Sequence, residues 1–244
     1  MRRTAFAALS LTAAAAGLTG CLPGGDTADG RPKGPFAGLS GGQILDRAAI
    51  ATTDAPSLRM SGQMPDETTG GTIRFDMALS GKGKCSGTLR YAQGKADVIQ
   101  TASSFYARYD EQFFRAEGGT AQETDAAVEL FAGKWVKMPA GDPDVKDFAR
   151  FCTLERMLGD RHVHSNATRG GTTTIDGTPA VTLRERNDKE QATAYVTTKG
   201  TPYIVRLESH TTHGESTVEF RDFGKAAAVQ KPEGDIIDVA TFTE

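Results

Sequence analysis

The chain has 244 residues, 38% of them hydrophobic, and a formal net charge of −3 at pH 7. That length and apolar content bury an adequate core for one large domain or two small ones, and set the chain apart from disordered tails. A mildly acidic balance argues against nucleic-acid binding and against electrostatic docking on anionic lipid.

Residues 1–20 read as an export signal. Arg2 and Arg3 supply a short basic segment, Thr4 to Ala16 an uncharged, alanine-rich one, and the run closes on Leu18-Thr19-Gly20-Cys21. The apolar part is too short to span a bilayer. The closing four residues resemble the bacterial lipobox, where cleavage precedes the cysteine and its thiol takes diacylglycerol with palmitate-class chains. Cys21 is therefore the expected lipid attachment site. The alternative is an ordinary secretory signal with a chance cysteine. Loss of Arg2 and Arg3 from 28 basic residues leaves 26 against 31 acidic ones, a net charge of −5. Residues 21–39 are rich in Gly, Pro and Asp and read as a flexible tether. Residues 40–244 read as a single domain.

Ser40 and Gln43 have the spacing of a capping box, with Leu39 and Ile44 as its hydrophobic staple. Ile44, Leu45, Ala48 and Ala49 continue one apolar stripe, so a helix is expected to run to about Thr52. Period-two strands follow at 58–64, 73–79 and 85–91, with shorter ones at 96–101 and 104–109. Leu58, Met60, Ile73, Phe75, Met77, Leu79, Leu89 and Tyr91 should share one face. These eight are the candidate ligand-cavity residues; the competing reading makes them ordinary core. Flexible thioethers suit either use. A helix is expected from Thr124 to Phe131, a strand at Lys134–Met138, and a helix capped by Asp142 with Pro143 at its first position. Trp135 reads as a core anchor. Further strands are expected at 172–175, 180–186, 192–198, 203–209 and 216–223, then an extended closing segment at 231–238.

With Cys21 committed to lipid, Cys85 and Cys152 remain as a disulfide pair, which an extracytoplasmic compartment permits. Two separately buried thiols are the alternative. The pair would pin a helical layer to the concave side of the sheet. His162-Val-His164 and His210-Thr-Thr-His213 read better as solvated loop histidines than as a metal site. No Gly-x-Ser-x-Gly elbow is present, and Glu111, Glu117 and Glu123 read as solvated charges around a loop. Neither enzyme chemistry nor a metal or cofactor is expected.

These elements add up to an α+β fold: a long curved antiparallel sheet forming an open half-barrel, with a helical lid or plug on its concave side. The order of elements, with Phe105-Tyr106-Ala107-Arg108-Tyr109 and Gly133-Lys134-Trp135-Val136-Lys137, resembles the LppX/LprA/LprF/LprG-type lipoproteins of actinobacteria. More distantly it resembles the LolA and LolB carriers. The resemblance implies an apolar cavity for acyl chains and a non-enzymatic, membrane-anchored protein on the outer face of the cell membrane that binds or transfers lipid. It supplies no catalytic residues. Small residues and methionine on the apolar face imply a small cavity or a modest ligand. The alternative is an envelope sensory or protein-binding module that uses the same half-barrel without lipid, its protein partner unknown.

Overall fold

The structure is a computed structural model that describes residues 34–66, 70–81, 83–158 and 166–242. Cys21, the export signal, most of the tether, His162 and His164 lie outside the described residues.

Helix α1 (Gly41–Thr53) begins on the expected box: Ser40 Oγ accepts from the Gln43 amide, and Gln43 Oε1 accepts from the Ser40 amide at 3.0 Å. A first meander follows: β1 (Ser57–Pro65), β2 (Thr72–Ser80), β3 (Lys84–Tyr91), β4 (Gly94–Gln100) and β5 (Ser104–Tyr109). All five strands stand where the alternation places them. Two helices come next, α2 (Glu111–Glu117) and α3 (Ala121–Phe131), then β6 (Trp135–Pro139). A 3₁₀ turn at Pro143–Val145, α4 (Lys146–Ala149), a second turn at Arg150–Cys152 and α5 (Leu154–Leu158) make the helical patch. The second meander is β7 (Thr168–Ile175), β8 (Thr178–Arg186), β9 (Glu190–Thr197), β10 (Ile204–Thr211) and β11 (Gly214–Arg221), and β12 (Ile236–Asp238) closes the chain.

The loop expected around Glu111–Glu123 is helical. Asp110 caps α2 by accepting from the Phe113 amide at 2.8 Å, and Thr120 with Glu123 forms a second capping box for α3. Both caps are local signals, and Glu123 is held below the usual carboxylate range by its hydrogen bonds to Thr120. The apolar side chains of α2, Phe113 and Phe114, join Tyr91, Tyr109 and Phe148 in an aromatic cluster; Tyr109 and Phe113 stack at 4.3 Å. Gly94 permits this approach, because a side chain there would collide with the backbone of Phe113. Burial of its phenol, and then the charge of Glu117, push Tyr109 up to about 12.

The strands form one sheet in the order β12-β6-β5-β4-β3-β2-β1-β11-β10-β9-β8-β7, not closed into a barrel. Every pairing is antiparallel except β12 with β6, where Ile236 pairs with Trp135. The two meanders meet through β1 and β11, with Met60 opposite Phe220 and Gly62 opposite Val218. The concave face carries the apolar residues and the helices. On the convex face Asp97 accepts from Thr88 Oγ1 at 2.8 Å and from Arg108 at 2.9 Å, with the Lys95 ammonium at 3.0 Å. The Arg108 guanidinium also lies over Trp135, 4.8 Å from the ring centroid. The only tryptophan is thus a half-buried partner of that network rather than a core anchor.

Cys85 on β3 and Cys152 in the helical patch form a disulfide, with Cα atoms 5.3 Å apart and a sequence separation of 67. Replacing both by Ser should lower stability by on the order of 4 kcal/mol, the chain-entropy value for a loop of this length. Chemical denaturation with and without reductant measures this; the far-UV spectrum of the sheet should survive. Burial opposes ionisation of Asp97, but its hydrogen bonds to Arg108, Lys95 and Thr88 prevail and hold the carboxyl below its ordinary range. The unfolded chain therefore takes up that proton first as pH falls. The stabilisation is complete above the ordinary carboxylate pKa and is lost as pH drops through the lower folded value. Asp97→Asn should flatten this part of the acid limb and cost about 1–3 kcal/mol at neutral pH, read by denaturation between neutral and acid pH.

Candidate ligand cavity

The two halves of the concave face are filled differently. Over the first meander the helical patch inserts Val145 and Phe151, which are 1% and 0% exposed. Phe151 meets Phe75 at 5.2 Å between ring centroids, beside the disulfide. Met60, Ile73, Phe75, Met77 and Leu89 all belong to this packed cluster. Gly87 faces Met77, and a side chain there would collide with the methionine sulfur. Tyr91 is half-buried in the aromatic group, and burial raises its phenol pKa. Of the eight candidates, Leu58 and Leu79 line a pocket of about 140 Å³, shared with Cys152, Leu154 and Glu155.

Over the second meander lies α1, and beneath it a cavity of about 310 Å³. Its roof is Leu45 and Ala49 of α1 with Met157 and Leu158 of α5. Its floor is Leu183, Ala192, Ala194, Ile204 and Leu207, and Glu185 and Glu190 stand at one end. The helix is held at both ends. Gly41 packs against the carbonyl of Ala167, where any side chain would clash. Thr52 Oγ1 accepts from the buried Ile204 amide at 2.9 Å, beside the β-bulge at Ile204/Arg206. Between these two fixed points Ala49, Ala192 and Ala194 are the small residues of the lining, and the space they leave stays open. None of the eight residues expected to line a cavity reaches this one. The signal for it was the alternation Ala192-x-Ala194 below Ala49: apolar, correctly phased, and too small to fill the gap.

The remaining candidates do not assemble a reactive centre. His210 Nδ1 lies 3.1 Å from Glu215 Oε1 on the exposed convex face. Among the described residues no three of His, Cys, Asp and Glu gather to hold a metal ion. Among them, too, no helix is long and apolar enough to cross a membrane.

A paired substitution separates packed wall from open cavity. Met77→Phe adds volume where none is free and should cost about 1–3 kcal/mol. Ala194→Phe points into the open space and should cost well under that, or stabilise. Urea denaturation of the two variants makes the comparison.

Neither protein-family models nor curated proteins match the sequence. Solved structures do match the fold. The lipoprotein LppX of Mycobacterium tuberculosis overlays 78% of this chain and 98% of its own length, with a TM-score of 0.51 at 13% identity. LprF of Mycobacterium bovis overlays 80% and 97%, with a TM-score of 0.52 at 14% identity. A LolA-superfamily protein from Nitrosomonas europaea overlaps far more loosely, with a TM-score of 0.29. In fold, this chain is similar to actinobacterial lipoproteins of the LppX and LprF type.

Proposed function

We propose that the protein is a lipid-anchored envelope protein that holds the acyl chain of a lipid in the cavity beneath α1, for binding or transfer and without enzymatic chemistry. The observation that carries this reading is the cavity itself. Leu45, Ala49, Leu183, Ala194, Ile204 and Leu207 give this space of about 310 Å³ its apolar wall, under a helix fixed at both ends. Away from Glu185 and Glu190 at one end, such a wall offers no side-chain polar group to hold ordered water and gains from taking up hydrocarbon. The fold shared with the lipoprotein LppX supports the same reading, as does the lipobox-like Leu18-Thr19-Gly20-Cys21. On this reading Cys21 carries the anchor and the protein works on the outer face of the cell membrane; the tether expected over residues 21–39 is limited to 21–33, because Phe36 and Leu39 pack against the core and Arg169 holds the Pro35 and Phe36 carbonyls.

Met60, Ile73, Phe75, Met77 and Leu89 then serve as the rigid half of the domain. The disulfide and the aromatic core hold that half in place, and the half beneath α1 receives the ligand. The pocket at Leu58 and Leu79 is lined by the start of α5, at Leu154 and Glu155, as the cavity is by its end, at Met157 and Leu158.

Native mass spectrometry of the full chain extracted from membranes tests the proposal. Two increments are expected: covalent acyl mass lost in Cys21→Ser, and a non-covalent lipid retained in Cys21→Ser but lost in Ala194→Phe. A wild-type chain free of non-covalent lipid from several expression hosts would overturn the lipid reading and favour a protein-binding module.

A further inference from the structure

The described chain starts at Gly34, and its first segment is clamped. Arg169 donates to the carbonyls of Pro35 at 2.7 Å and Phe36 at 3.3 Å, and Phe36 and Leu39 pack against the core. Arg169 pairs with Leu183 of β8, and Leu183 is a wall of the cavity. The place where the chain leaves toward Cys21 is therefore beside the cavity.

Burial shows which end of the cavity is open. Along β9, Val196 and Ala194 are buried, whereas Ala192 and Glu190 are half-exposed. Along β8, Leu183 is buried and Glu185 half-exposed. The mouth thus faces the β8–β9 turn, and two residues of strand, about 7 Å, separate Leu183 from Glu185. Chain exit and mouth share one end of the sheet.

The tether is short relative to the domain. Residues 21–33 number 13. A Gly-rich chain of that length has a root-mean-square reach of about 20 Å and a fully extended limit of about 45 Å. A domain of this size is about 40 Å across. Turning the far end, with Asp176-Gly177 and Lys199-Gly200, toward the bilayer would stretch the tether almost to its limit. Around the mouth Arg184, Arg186 and Lys189 are balanced by Glu185, Asp188 and Glu190, so the lipid surface need carry no charge.

We infer that the anchored domain stands with its β8–β9 turn on the lipid surface and its cavity mouth toward the leaflet, loading an acyl lipid directly from the bilayer that holds it. This rests on the proposed function for the anchor at Cys21 and for the acyl ligand.

The test uses the full lipidated chain in phosphatidylcholine vesicles, with a fluorophore at Lys189→Cys or at Lys199→Cys and a quencher on the lipid headgroups. Quenching should be several-fold stronger at position 189. Equal or reversed quenching, with acyl mass present on Cys21, would overturn the orientation and leave the cavity reading intact. A second variant carries a Gly/Ser insert of roughly 26 residues between Gly24 and Gly25, which about triples the tether and should slow uptake of fluorescent phospholipid about fivefold through lower effective concentration. Lipid content in detergent should not change. Unchanged uptake would overturn direct loading. A chain with neither acyl mass nor bound lipid would overturn the underlying reading and this inference together.

Discussion

The pairing of β1 with β11 is the constraint on which the rest of the structure depends. It joins strands 160 residues apart, Arg221 and Ser61 being bonded partners across it. Each meander alone would be a sheet with one apolar face and a hydrogen-bonding edge open to solvent. Joined in register, with Met60 opposite Phe220, they present one continuous apolar trough. The pairing has its own fittings. Gly62 lets the strands approach where a side chain would strike the Thr217 carbonyl. Asp76 receives both the Arg59 guanidinium at 2.7 Å and that of Arg221 at 3.6 Å. Those ion pairs are exposed and add little energy, but they mark the register on the convex face.

The trough must be covered, and its two halves are covered with different materials. Phe75, Phe105, Phe148, Phe151 and Met77 meet across the first half, and a disulfide holds the layer down. The second half faces a helix that presents Leu45 and Ala49 to the space above Ala192 and Ala194. Interiors normally fill to crystal-like density, and a shortfall in side-chain volume leaves lining atoms without partners. Here the shortfall is concentrated under one helix that is pinned at Gly41 and at Thr52. The helix cannot settle into the gap without breaking the Thr52–Ile204 hydrogen bond or colliding at Ala167. A cavity of about 310 Å³ is the consequence.

The helical pair α2–α3 lies at the margin of the first half. None of its residues is fully buried, and Leu130 is 52% exposed. Two good caps and the Arg115–Glu111 and Arg115–Asp125 ion pairs let it form at the sheet's margin. Phe113 and Phe114 fasten it to Tyr109. It closes the aromatic end of the first meander and leaves the cavity end free.

Local patterns in the sequence determined the helix at Ser40, the ten strands of the two meanders and the pairing of Cys85 with Cys152. A capping box, strict alternation and an even cysteine remainder are each written within a few residues or need no geometry at all. The same reading took Glu111–Glu123 for a loop, because acidic residues in a polar stretch masked the caps at Asp110 and Thr120. The alternation also placed Met60, Phe75 and Met77 on the concave face. Whether a concave residue meets a partner or empty space is another matter. It depends on the summed volume arriving from elements distant in the sequence. Tertiary structure alone decided that Phe151 would fill the space over Phe75, that Ala49, Ala192 and Ala194 would line a space beneath α1, and that β12 would pair parallel with β6. A strand's period says which way a side chain points; only the assembled layers say what stands opposite.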